Sequence, residues 1–131
     1  MIKTVLWVSS GIFHEERKFT IPLVLNPKIS VYKEASLENA AERLAHKNFD
    51  LVIVGPHSDI HDFDKRLRFV TKLVSGLSIN PENIIVYSYE SFIDEEKTRL
   101  ASLGISKFVL TKTCNRGRKI VRVALKALKL K

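Results

Sequence analysis

The chain has a single cysteine, Cys114, so an internal disulfide framework is excluded and a reducing compartment fits. Cys114 is expected to be an inert thiol, since reactivity requires a depressed pKa. Four prolines and five glycines in 131 residues form no low-complexity tract and no linker. No apolar run approaches the roughly 20 residues that a membrane-spanning helix needs. The opening Met1-Ile2-Lys3-Thr4-Val5-Leu6-Trp7-Val8 is too short for a signal segment and lacks a small-residue cleavage site behind it. A cytoplasmic protein is therefore expected. The glycine-rich fingerprints that cradle phosphates or dinucleotides are also missing.

Charge of one sign is missing locally. Residues 112–131 contain no Asp or Glu but carry Lys112, Arg116, Arg118, Lys119, Arg122, Lys126, Lys129 and Lys131. Residues 1–111 hold 14 cations against 14 acids, so the whole net charge of +8 lies in the last twenty residues.

With 45% apolar residues the chain can bury one core and is too short for two ordinary domains, which predicts a single domain over residues 1–131. Short β-branched apolar runs recur at Thr4–Val8, Ile29–Tyr32, Leu51–Val54, Ile84–Tyr87 and Lys107–Leu110 and read as buried strands. Segments with helical spacing lie between them. Phe63, Leu67, Val70, Val74 and Leu77 build one apolar stripe and are expected to leave Lys65, Arg66, Arg68 and Lys72 in water. Ser36 opens a helix through Leu37, Ala41 and Leu44, Ser91 with Asp94 resembles a capping signal, and Gly104 stops the helix through Leu100. A first helix is expected from about His14, with Pro22 breaking or kinking it. A basic amphipathic helix is expected over about 114–131.

Apolar strands alternating with amphipathic helices predict an α/β fold, a parallel sheet covered on both faces. Chemistry in such sheets gathers outside the carboxyl ends of the strands. Here those ends are Ser9-Ser10-Gly11, Gly55-Pro56-His57, Ser88-Tyr89 and Thr111-Lys112-Thr113.

Three segments carry a resemblance to a known family: Phe49-Asp50-Leu51-Val52-Ile53-Val54, Ile84-Ile85-Val86-Tyr87-Ser88, and the run from Ala101 to Lys112. In these the chain resembles the CheY-like receiver domain of response regulators over nearly its full length. The resemblance implies a flavodoxin-like, doubly wound (βα)5 fold with five parallel strands in the order 2-1-3-4-5. It places Ser88 on the conserved switch hydroxyl and Lys112 on the invariant lysine that contacts the phosphoryl group. Ser9 and Ser10 fall where the family holds a divalent metal with an acidic pair, Gly55 falls on the phosphoacceptor aspartate, and Thr113 replaces a proline. Two hydroxyls cannot neutralise a hard cation as carboxylates do, and glycine has no nucleophile. Asp59, four residues beyond Gly55, is not expected to replace it. The resemblance thus implies a degenerate pseudo-receiver without metal, cofactor or enzymatic activity.

Two surfaces are candidates for binding. Loss of acids at the carboxyl edge leaves Ser9, Ser10, Gly11, Lys112, Arg116 and Arg118 as a possible anion site, although Ser-Ser-Gly is equally an ordinary turn. In the last helix Arg118, Arg122, Lys126 and Lys129 recur at i, i+4, i+8 and i+11 beside Lys119, next to Val121, Leu125 and Leu128. That face suits a protein partner, a homodimer or nucleic-acid phosphates, and equally reads as a solvated basic face over a core contact. No helix-turn-helix accompanies it. His57, Asp59, His61 and Asp62 cluster without a standard zinc spacing and read as loop or cap residues. Trp7 and Phe108 are expected in the core.

The reading that the resemblance implies, together with these surfaces, is a phosphorylation-independent regulatory module of two-component signalling that acts through protein contacts of its last helix. It is expected to be free-standing, as an adaptor, homodimer or competitor. The rivals are a small anion- or nucleotide-binding flavodoxin-like protein and a nucleic-acid accessory protein that uses the basic helix.

Overall fold

The structure is a computed structural model that describes residues 2–9, 21–55, 63–88, 94–110 and 118–130. Its strands are β1 (Lys3–Val8), β2 (Ile29–Glu34), β3 (Leu51–Val54), β4 (Ile84–Ser88) and β5 (Lys107–Leu110). All neighbouring strands pair in parallel, in the order β2-β1-β3-β4-β5. The expected architecture and strand order are therefore both present.

Helices cross between the strands. Residues 21–24 are helical (α1), with α2 (Leu37–His46), α3 (Phe63–Thr71), α4 (Asp94–Ser102) and α5 (Arg118–Ala127) after them. Ser36 caps α2 as its sequence position indicates, its Oγ accepting from the Asn39 N–H at 3.2 Å. Gly104 comes after α4 with φ of +93°, in the left-handed region that glycine adopts without steric cost. The expected start of a first helix near His14 and the Ser91 cap lie outside the described residues.

Alternation along the strands divides the core in two. Leu6, Val8, Val52, Val54, Ile84 and Val86 face α2, α3 and α4, whose Ala40, Leu44, Val70 and Leu100 cover them. Val5, Trp7, Leu51, Ile53, Ile85, Tyr87 and Val109 face the other way, onto Leu23 of α1, Ile120 and Ala124 of α5, and Leu128 just beyond its end. Continuous apolar strands are the sequence trace of this double coverage. Trp7 is in the core as expected, and Phe108 is half-buried at its edge.

One helix departs from its expected face. Arg66 is not in water but 6% exposed, and Phe69 and Leu73 are buried beside Leu67 and Val70, with Val74 and Leu77 only partly covered. Beyond Thr71 the helix widens into a π-turn at Lys72–Gly76, closed by the Leu77 N–H donating to the Lys72 carbonyl at 3.0 Å. The extra residue in that turn rotates the later residues about the helix axis. A stripe drawn at uniform α-helical spacing therefore misplaces its last members.

Candidate functional site

Gly55 comes directly after β3, its N–H donating to the Val8 carbonyl at 2.8 Å. The pairings Val8↔Val54 and Val54↔Val86 set it level with Ser9 on one side and Tyr87 on the other. Alternation aims position 55 at the face shared with Trp7 and Tyr87. A Cβ built on Gly55 would lie 2.7 Å from Tyr87 Cε1 and would also collide with Cζ and the hydroxyl oxygen. Side-chain space at this position is therefore taken by the Tyr87 phenol.

The phenol is held firmly. Tyr87 is fully buried and Trp7 is 2% exposed. Trp7 Nε1–H donates to Tyr87 Oη at 3.0 Å, and the two rings meet edge to face with centroids 5.6 Å apart. A buried hydroxyl needs a partner, and here the indole supplies one that only donates. At the backbone of the same residue, Arg66 Nη1 donates to the Tyr87 carbonyl at 3.0 Å. The same guanidinium grips Glu96 of α4, with Nε and Nη2 at 2.8 and 2.6 Å from Oε1. Both side chains are buried, so this ion pair ties α3, α4 and the end of β4 together where water cannot screen it.

Chemically, position 55 offers neither a carboxylate nor a vacancy. Ser9 is buried at the end of β1, its N–H donating to the Glu34 carbonyl at 3.0 Å, and Ser88 is half-buried at the end of β4. Ser10, Gly11, Lys112 and Arg116 lie outside the described residues, as do His57, Asp59, His61 and Asp62. Of the expected anion-site residues, the structure thus gives side-chain surroundings for Ser9 alone.

On the second candidate surface, α5 places Ile120 and Ala124 fully inside the core. Leu128, expected on the partner surface, is 3% exposed and belongs to that core as well. The reason is its i+8 and i+4 spacing from Ile120 and Ala124, which puts all three on the sheet-facing side. Val121 and Leu125 are half-buried at its margin, while Lys119, Arg122, Lys126 and Lys129 are exposed. Regular helix ends at Ala127, and Lys129 takes φ of +59° in the turn beyond it.

Sequence reasoning missed the filling of position 55 and the Arg66–Glu96 pair. The sequence carried no signal for the first, since the register that sets Gly55 level with Tyr87 appears only in the sheet. Glu96 carried none, being one of three consecutive acids in the first turn of α4.

No protein-family model and no curated protein matches the chain. Solved structures do. A response regulator receiver protein from Pseudomonas putida superposes with a TM-score of 0.68 at 19% identity, covering 96% of this chain and 98% of that one. The chemotaxis response regulator CheY4 of Vibrio cholerae gives 0.68 at 13% identity, covering 97% and 99%. An orphan response regulator of H. pylori gives 0.68 at 17% identity, covering 95% and 96%. Five parallel strands in the order 2-1-3-4-5, helices on both faces and these near-complete superpositions at low identity lead to one conclusion: the chain has the fold of the response-regulator receiver domains.

Proposed function

We propose that the chain is a pseudo-receiver, a regulatory domain of signal transduction that works by protein contact and not by phosphoryl transfer. The observation that carries this reading is position 55. It lacks a nucleophile, and the Tyr87 ring occupies the volume that an aspartate there would need. Losing the acid by substitution alone would leave a hole. A filled and hydrogen-bonded site is instead a core that has been built around the loss.

Contact runs through α5 and its neighbours. Val121 and Leu125 expose apolar surface at the margin of the core, and the exposed Arg122 and Lys126 of the same helix lie beside it. Half-buried apolar side chains beside exposed charge supply the two components from which a protein interface is built. The exposed cations Lys119, Arg122, Lys126 and Lys129 also support a second reading, in which the helix contacts nucleic-acid phosphates, whose mark is affinity that falls steeply with salt. Among the described residues no helix is long and apolar enough to cross a membrane.

The test is the mass of the particle in solution, for the intact chain and for Val121→Glu/Leu125→Glu, at low and high salt. The expected result is a dimer that the double substitution separates into folded monomers. A monomer that neither change affects, together with nucleic-acid binding that weakens with salt, would favour the second reading.

A further inference from the structure

Among the described residues the exposed large apolar side chains are Ile2, Ile21, Val24 and Leu25, with Leu25 the most exposed at 75%. They gather where α1 ends and β1 begins. α1 turns Leu23 into the core, so at the ~100° that each helical residue advances Ile21 and Leu25 come out on the opposite side, with Val24 next to them. The Leu25 N–H donates to the Ile21 carbonyl at 2.9 Å, which keeps these side chains on one ridge. The Lys3 N–H donates to the Lys28 carbonyl at 2.8 Å and so brings the start of β1 against the turn that follows the ridge. Apolar side chains left contiguous in water mark a contact surface, whereas scattered single ones do not.

The same end of the sheet is positive. In a parallel sheet every segment that leads into a strand lies at the strands' amino end. Here the described ones, with the turn after α5, carry Lys3, Lys28, Lys47, Lys107 and Lys129 against Asp50 and Glu82. Glu82 is taken by Lys107 at 2.9 Å, and Asp50 accepts from the Thr4 N–H at 2.7 Å. Among the described residues, Lys3, Lys28 and Lys129 have no carboxylate within ion-pairing distance. Gly55 and Ser88 stand at the opposite end of the strands.

We propose that this corner of the fold docks on an anionic lipid bilayer, with Ile21, Val24 and Leu25 entering the boundary between head groups and acyl chains while Lys3 and Lys28 meet the lipid phosphates. The contact is peripheral, and it is independent of the protein-contact reading given above. Three considerations select this occupant. Apolar side chains flanked by lysines complement a surface that is apolar beneath and negatively charged above. Leu25, three-quarters exposed at a helix end, protrudes and does not line a groove. A second copy of the chain would find too little here, since a standard protein interface engages roughly 20–30 residues a side. Bound about a two-fold axis, it would also bring Lys3 and Lys28 towards their own symmetry mates. A polyanion without an apolar layer would leave the ridge in water.

The experiment sediments the full chain with vesicles of phosphatidylcholine alone or of phosphatidylcholine mixed with phosphatidylglycerol. The expected result is saturable binding to the mixed vesicles and far weaker binding to phosphatidylcholine. Lys3→Gln/Lys28→Gln should weaken it roughly tenfold or more, from the attraction that each cation near an anionic surface supplies. Ile21→Ser/Leu25→Ser should weaken it about fivefold or more, because the apolar area that enters the bilayer is lost. Both pairs lie outside the core, and thermal midpoints close to that of the parent keep folding out of the result. Mixed vesicles that leave the chain in the supernatant overturn the proposal. So does binding that Ile21→Ser/Leu25→Ser leaves intact while Arg122→Gln/Lys126→Gln abolishes it, since the basic face of α5 would then be adsorbing by charge alone. If Ile21→Ser/Leu25→Ser instead splits a dimer of a chain that ignores vesicles, the ridge is a self-contact and the proposal falls. Poly-glutamate bound with the same dependence on Ile21 and Leu25, in place of vesicles, would assign the corner to an acidic protein and overturn it equally.

Discussion

Gly55→Ala is the sharpest perturbation available, because it adds one carbon to a place already filled. That carbon would sit 2.7 Å from Tyr87 Cε1 and closer still to the phenol's oxygen, well inside the 3.5–4.0 Å at which carbon atoms attract. The ring must retreat, but it is fully buried and its hydroxyl is fixed by Trp7. Overpacking of this kind costs about 1–3 kcal/mol, and disturbing the indole–phenol hydrogen bond adds about 0.5–1.5 kcal/mol. Replacing glycine restricts the unfolded chain and returns about 0.4–1 kcal/mol. Gly55 is not among the residues with positive φ, so no backbone strain enters. The net expectation is a loss of about 2 kcal/mol, within the ~5–15 kcal/mol that a domain usually commands.

Equilibrium urea unfolding measures it, with the midpoint falling at unchanged slope. A double-mutant cycle then assigns the cause. In a Tyr87→Leu background the ring is gone, and Gly55→Ala should cost less than about 0.5 kcal/mol, giving a coupling of about 1.5 kcal/mol or more. A Gly55→Ala protein as stable as the parent, or one equally destabilised with and without Tyr87, would refute the claim that the phenol fills this site.

Three further outcomes are expected. Arg66→Ala strands Glu96 as a buried, unpaired acid, since the pair is 8% and 3% exposed, and should cost about 3–5 kcal/mol, whereas Arg66→Met/Glu96→Leu should recover most of that in the same urea assay. Tyr32 should ionise below the usual phenol value of 10.0, because the hydrogen bond from Lys47 Nζ, at 2.7 Å, and then that from Ser30 favour the phenolate. An ultraviolet titration should show one of the three tyrosines titrating early, and Lys47→Met should move it back up. In sign, the lowered pKa contributes no pH-dependent stability below the folded value, where the phenol is protonated in both states. Between the folded pKa and 10.0 the unfolded chain binds more protons, so stability gains as pH rises through that window, an effect that Lys47→Met should abolish.

The strands were legible because their apolar runs are continuous, and Leu51–Val54 and Lys107–Leu110 have the bounds that composition marks. Such runs record burial on both faces, which few other folds demand. Caps were legible for a similar reason: Ser36 and Gly104 act locally, through their own backbone geometry. The features that escaped depend on neighbours distant in sequence. Arg66 looked like a solvent residue because nothing within its helix says that Glu96, thirty positions on, is waiting inside. Leu128 looked like surface because the apolar girth of α5 is wide, and only the sheet's position decides which part of it is covered. At the candidate site the missing acid could be read at Gly55, but its replacement by a phenol from the adjacent strand could not, since Tyr87 reads first as an ordinary strand residue.

The central claim, that this receiver fold works without phosphoryl chemistry, meets its most direct test in magnesium and beryllofluoride, which together mimic an aspartyl phosphate in a receiver pocket. Spectra of the ¹⁵N-labelled chain should be unchanged at the amides of Ser9, Gly55 and Ser88, and the solution mass should be the same with and without the mimic. Saturable shifts at those amides, or a mimic-dependent change in mass, would mean that another acid serves the pocket and would contradict the account.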